Sequence, residues 1–229
     1  MVEIAVVVPT HNERKRIIPL LEGMPEYCHP IILDDSTDNT AQLAKERGAT
    51  TVSFPNVAWQ FIPLKYLYGL KYARQSGYDW ACTMDSGENF DPDWINKLVI
   101  ANTDGVADIV IGAREFHGRG LRRLISNIAS RITGLGLPDS TSGFRLYRLD
   151  SLNLERFQSR TPHAFQVELL LKHKNHNIRS VPIPYRAPKN STMSLGTFLD
   201  WARMYLATKG GAGESIREHS GSRLEDRHL

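Results

Sequence analysis

The sequence predicts an α/β fold, a mostly parallel central sheet flanked by helices. Short apolar, β-branched runs alternate with helical stretches through the first half. Those runs are apolar throughout, as strands buried on both faces are. Three of them stop at polar clusters, where an open α/β sheet places its ligands.

Ile4 to Val8 is the first run, ending in Pro9-Thr10-His11-Asn12-Glu13, and a helical stretch follows through Leu21. Pro30 to Leu33 is the second, stopped by Asp34-Asp35, with a helix from Thr40 to Arg47. Thr50 to Phe54 reads as a third strand and Leu64 to Arg74 as a helix. Trp80 to Met84 is a fourth strand, closed by Asp85-Ser86-Gly87-Glu88-Asn89. Pro92 opens another helix at a position that tolerates proline, and Asp108 to Ile111 is a fifth strand. Leu121 to Thr133 has helical spacing of apolar residues with arginines opposite. The run Gly134 to Pro138 breaks that helix. Phe144 to Arg148 reads as a strand and Ala164 to Lys174 as a helix. Ile178 to Pro184 is a strand whose two prolines place it at an edge. Gly196 to Thr208 is a last helix with a broad apolar face that includes Leu199, Trp201 and Leu206. Packing on the core is the expected role of that face; a peripheral membrane contact is the other reading. Residues 1–208 are expected to form one domain, with a ligand-binding half at 1–112 and an acceptor half at 113–208. Residues 209–229 read as a disordered tail.

Composition removes several function classes. In 229 residues, 41% of them hydrophobic, no run approaches the roughly 18 apolar residues of a membrane span. The start, Met1 to Pro9, lacks the basic residues and cleavage site of a signal peptide. Cys28 and Cys82 suit neither a disulfide framework nor a zinc site, so a reducing cytoplasm is expected. The net charge of +3 is placed mid-chain: seven arginines lie between Arg114 and Arg148, against Glu115 and Asp139. The guanidinium fork suits phosphate, and a solvated helical face is the alternative.

The three clusters at strand ends would converge on one crevice. Acids beside a basic segment suggest Mg²⁺ or Mn²⁺ joining carboxylate to a phosphorylated ligand. The competing role for each acid is to cap the following helix, as Asp38 and Asp91 are placed to do. No G-x-x-x-x-G-K-[ST] loop exists, and neither Gly134-x-Gly136 nor Gly210-Gly211-Ala212-Gly213 follows a strand. P-loop and dinucleotide folds are therefore disfavoured.

Val7-Val8-Pro9-Thr10-His11-Asn12-Glu13, Leu33-Asp34-Asp35-Ser36-Thr37-Asp38-Asn39-Thr40 and Met84-Asp85-Ser86-Gly87 resemble the signatures of family 2 glycosyltransferases. Ile111 to Arg114, Asp139 to Arg148, Glu168-Leu169-Leu170 and Val181 to Tyr185 follow in the order seen in dolichol-phosphate and polyprenyl-phosphate mannose synthases. The resemblance covers about residues 4–208. It implies a GT-A fold, a nucleotide-diphosphate sugar donor of the GDP-mannose or UDP-glucose type, and inverting transfer to a polyprenyl phosphate. By position, Pro9, Asn12 and Glu13 would line the nucleotide pocket, with Asp35 near the base or ribose. Asp85 would be a metal ligand and Asn89 a second. Arg114 would face the diphosphate or an acceptor phosphate. Asp139 and Arg145 would border the acceptor, with Asp139 the general base for a hydroxyl acceptor. The sequence departs from the family at Gly87, where the second aspartate of D-x-D belongs. It departs also in a shortened Asp34-Asp35 loop, at Ala58 to Pro63, and at Arg186 to Ser194. Two other readings stay open: a hydroxyl acceptor (a glycan, a protein or a hydroxymethylated DNA base), and a nucleotide-sugar-binding module without catalysis. His11, His117 and His163 match no ligand spacing and are read as surface or capping residues.

Overall fold

The computed structural model describes residues 2–54, 62–87, 90–115, 121–159 and 161–185, with 197, 199–203 and 206. The tail at 209–229 and Asn89 lie outside these. Seven strands form one sheet: β1 (Ile4–Thr10), β2 (Cys28–Asp34), β3 (Thr50–Ser53), β4 (Trp80–Thr83), β5 (Ile109–Arg114), β6 (Arg145–Arg148) and β7 (Ile178–Ile183). Their order is β3-β2-β1-β4-β6-β5-β7. All neighbours run parallel except β6, which is antiparallel to both β4 and β5. β7, with Pro182 inside it and Pro184 just beyond, lies at the edge as the sequence predicts.

Apolar side chains leave β1 on both faces because helices cover both. Ile4, Val6 and Val8 pack with Ile17 and Leu20 of α1 (Ile17–Glu22), Ala44 of α2 (Thr40–Glu46), and Ile95 and Leu98 of α4 (Ile95–Ile100). Ala5 and Val7 pack with Tyr66, Leu70 and Ala73 of α3 (Ile62–Gln75) and Phe165 and Leu169 of α6 (Pro162–Lys172). Gly69 sets how close α3 can come: a Cβ there would lie 2.3 Å from Val7 Cγ1. Pro92 opens a single 3₁₀ turn, Pro92–Trp94, before α4, and Asp91 caps it by accepting the Asp93 N–H at 3.0 Å. Trp201 is buried with Ile125 and Ala129 of α5 (Leu121–Thr133) and Ala164 and Val167 of α6, whereas Leu199 and Leu206 are exposed. Cys28 and Cys82 are buried free thiols.

The antiparallel strand has a positional consequence. Thr83 at the carboxyl end of β4 and Ile111 in β5 both pair with Arg145, the first residue of β6. The segment entering β6, residues 139–144, thereby arrives at the same sheet end as the polar clusters. A parallel β6 would have left it on the far side.

Candidate active site

Three adjacent strands, β2, β1 and β4, present their carboxyl ends side by side, which brings the His11, Asp34 and Asp85 clusters to one crevice. Thr10 Oγ1 donates to Asp34 at 2.6 Å, and Ser36 closes on the same carboxylate through its N–H and hydroxyl. Asp34 is thus a loop anchor. Asn12 holds a left-handed backbone at φ 57, a conformation asparagine tolerates better than most residues. Its side-chain oxygen accepts the Thr37 N–H at 2.9 Å, while its own N–H donates to Ser36 Oγ at 2.7 Å. These bonds tie the loop after β1 to the loop after β2. Asp38 accepts the Thr40 N–H at 2.9 Å, one residue ahead of Asn39, which holds the N-cap position of α2. Pro9 is buried within β1 and forms floor.

Asp35 is paired in a way the sequence does not announce. Its Oδ1 lies 2.8 Å from Lys65 Nζ and 2.9 Å from His11 Nδ1. Lys65 also donates to the Thr10 carbonyl at 2.9 Å. Glu13 reaches across to β4's end, accepting from Ser86 Oγ at 3.2 Å, and pairs with Arg16.

Asp85 is exposed at the end of β4 and accepts the Tyr66 hydroxyl at 2.5 Å. Burial, and the carboxylate it faces, hold the Tyr66 phenol well above its ordinary value, so it remains a donor. Among the described residues no three acids, histidines or cysteines gather into a metal cage. A Mg²⁺ or Mn²⁺ ion commonly takes only one or two carboxylates, with ligand phosphates completing the shell. Asp85, an exposed hard-oxygen donor, fits that arrangement; Asn89 lies outside the described residues.

On the other side, the geometry revises the expectations for Asp139, Arg114 and Arg145. Asp139 is fully buried and grips the Arg114 guanidinium at both oxygens, 2.6 Å to Nε and 3.0 Å to Nη2. Thr141 and Ser126 fill its remaining acceptor sites. Burial raises the Asp139 carboxyl, but the Arg114 charge and its hydrogen bonds outweigh this and hold it below the usual range. A general base needs an available lone pair, and here Asp139 is a tether for Arg114. The guanidinium lies 5.2 Å from the Tyr185 ring centroid. Arg145 is completely buried and donates to the carbonyls of Gln166 and Ser140 at 3.0 and 2.9 Å. It braces the 139–144 segment and does not border a solvent-filled acceptor site. Arg148 pairs with Asp108 and lies over Trp80. Three of the seven arginines therefore have structural partners; Arg123 and Arg131 are exposed, and Arg119 and the Arg122 side chain lie outside the description.

Sequence reasoning missed Lys65, Tyr66 and His163. Burial depresses the His163 imidazole, and the Arg114 charge adds to the effect, whereas Asp85 and Asp139 oppose it. A histidine whose partners come from distant loops leaves no local spacing to read.

The chain matches the family model described as "Glycosyl transferase family 2" over residues 5–170. The polyprenol monophosphomannose synthase of Mycolicibacterium smegmatis is 29% identical over 201 residues, covering 78% of this chain and 75% of that protein. The undecaprenyl-phosphate mannosyltransferase of Micrococcus luteus is 29% identical over 199 residues, covering 78% and 80%. A solved structure of glucosyl-3-phosphoglycerate synthase from Mycobacterium tuberculosis, in complex with Mn²⁺, UDP and phosphoglyceric acid, is similar with a TM-score of 0.63. It is 20% identical and covers 93% of this chain and 80% of that one.

Proposed function

The chain belongs to glycosyl transferase family 2 and has that family's α/β fold, and from this premise we propose that it moves a sugar from a nucleotide-diphosphate sugar to an acceptor with the help of Mn²⁺ or Mg²⁺. The observation that carries the reading is the exposed Asp85 carboxylate, oriented by Tyr66 at the sheet end where Glu13, Asn12 and Asp35 also converge. A divalent ion held by Asp85 and the donor's diphosphate would offset the charge that develops on the departing nucleoside diphosphate. Asn12, Glu13 and Asp35 would hold the nucleoside. Arg114, fixed by Asp139 and Tyr185, would keep one cation near the transfer site. Transfer is a single displacement with inversion.

For the acceptor, the better-supported reading is a hydroxyl on a small phosphorylated molecule or glycan. The likeness that spans 93% of the chain is to a structure holding phosphoglyceric acid. Polyprenyl phosphate is the second reading. It is favoured by the names of the two sequence relatives and by the engagement of Asp139, since a hydroxyl must shed a proton and a phosphate arrives already anionic. A peripheral membrane contact and a DNA acceptor belong to the same set of proposals.

The test is transfer of label from UDP-glucose and GDP-mannose, with Mn²⁺, to 3-phosphoglycerate, polyprenyl phosphate and hydroxymethylated DNA in parallel. Label in phosphoglycerate supports the hydroxyl reading; label extracted into organic solvent supports the lipid phosphate. Label in DNA would redirect the exposed arginines of α5 to nucleic acid. No transfer to any acceptor, with intact donor binding, would favour a binding module.

A further inference from the structure

Lys65 is a buried lysine that has no part in the transfer reaction proposed above. It sits in the first turn of α3 with 3% of its side chain exposed, among Tyr66, Leu70 and Ala73, which pack on the sheet. An ion pair this deep loses hydration that its own attraction repays only in part, and an apolar side chain of similar volume is often as stable. Backbone satisfaction does not explain it either, because the Thr10 carbonyl already accepts the Asp35 N–H at 3.4 Å. What Lys65 does accomplish is an asymmetry in Asp35. Both Lys65 Nζ and His11 Nδ1 fall on Oδ1. The other oxygen, Oδ2, accepts no hydrogen bond from a described residue and is not among the buried atoms left without a partner. It therefore touches solvent at the crevice, as an acceptor whose direction is fixed from behind.

We propose that Lys65 is a positioning residue for nucleobase selection, holding Asp35 so that Oδ2 faces a base carrying a ring N–H, such as uracil at N3 or guanine at N1. This rests on the nucleotide-sugar reading above. A carboxylate oxygen can only accept, so it favours a ring N–H and opposes the bare ring nitrogen of cytosine or adenine. With Lys65 in place the carboxylate is held in one rotamer; without it, Asp35 keeps only the half-exposed His11 beside it.

The experiment measures dissociation constants of UDP and GDP, and of N3-methyl-UDP and N1-methyl-GDP, by calorimetry with Mn²⁺ on the full chain. Wild type should bind UDP or GDP at least about tenfold more tightly than its methylated form, the worth of one hydrogen bond to a charged group. In Lys65→Met that ratio should fall to within about threefold, as it should in Asp35→Asn, with metal dependence retained. Should Lys65→Met fail to fold, Lys65→Gln, which keeps a donor for the Thr10 carbonyl, gives the same readout. A ratio that collapses in Asp35→Asn but survives in the Lys65 variants overturns the role of Lys65, as does a ratio unchanged in all of them. Wild type that binds neither UDP nor GDP would instead overturn the donor reading itself.

Discussion

Replacing Asp139 by asparagine keeps the shape of the side chain and removes its charge. Arg114, with 10% of its side chain exposed, then loses the carboxylate that pairs with its guanidinium. The pair is bidentate, and the same carboxylate also accepts from Thr141 and Ser126, so little of the loss can be made up locally. Removing one partner of such a buried pair costs about 3–5 kcal/mol, a large share of the roughly 5–15 kcal/mol that holds a domain folded. At about 2–4 °C per kcal/mol for a chain of this size, the melting temperature should drop by about 6–20 °C. Urea unfolding monitored by circular dichroism gives the free energy directly. The pH dependence follows from the depressed Asp139 carboxyl. Its stabilisation is complete above the unfolded carboxyl value of about 4 and is lost as pH falls through the lower folded value. The gap between wild type and variant should therefore be constant from neutral pH to about pH 5 and close in stronger acid. Arg114→Met combined with Asp139→Asn should be less destabilised than Asp139→Asn alone. An Asp139→Asn variant within about 1 kcal/mol of wild type would instead mean that the pair is worth no more than an exposed one.

Tyr66→Phe removes the hydrogen bond to Asp85 and leaves the ring stacked on Phe165 with centroids 6.2 Å apart. It should cost about 0.5–1.5 kcal/mol in urea unfolding and weaken metal-dependent donor binding. Gly69→Ala would push a methyl against Val7, 2.3 Å away, and should destabilise by about 1–3 kcal/mol, with part recovered in Gly69→Ala/Val7→Ala.

The sheet was legible because each buried strand is a compact apolar run and each helix between them has its own period. The proline pair also marked β7 as the edge. Strand direction was not: nothing in Arg145–Arg148 distinguishes an antiparallel strand from a parallel one, yet that direction delivers residues 139–144 to the site. Asp35 and Asp85 could be found because acids at strand ends recur in a readable motif. Lys65 could not, since one lysine in a helical stretch reads as a solvated position, and its partner lies in a loop distant in sequence. The sequence places Asp139 at the acceptor side, yet Asp139, Ser140, Thr141 and Ser142 are all buried. They satisfy one another and the two arginines, Arg114 and Arg145, a mutual arrangement that has no signature in the residues one at a time.

The placement of the ion at Asp85 is tested most directly by calorimetric titration of UDP and GDP into wild type and Asp85→Asn, each with Mn²⁺ and with chelator. Asp85 is exposed at the end of β4, and asparagine keeps an acceptor for the Tyr66 hydroxyl, so the replacement should leave the fold intact, with a stability change no larger than about 1.5 kcal/mol. Wild type should bind one of the two nucleotides at least about tenfold more tightly with Mn²⁺, and Asp85→Asn should lose this difference. Equal, metal-independent binding in both proteins would contradict the placement of the ion and diphosphate at Asp85.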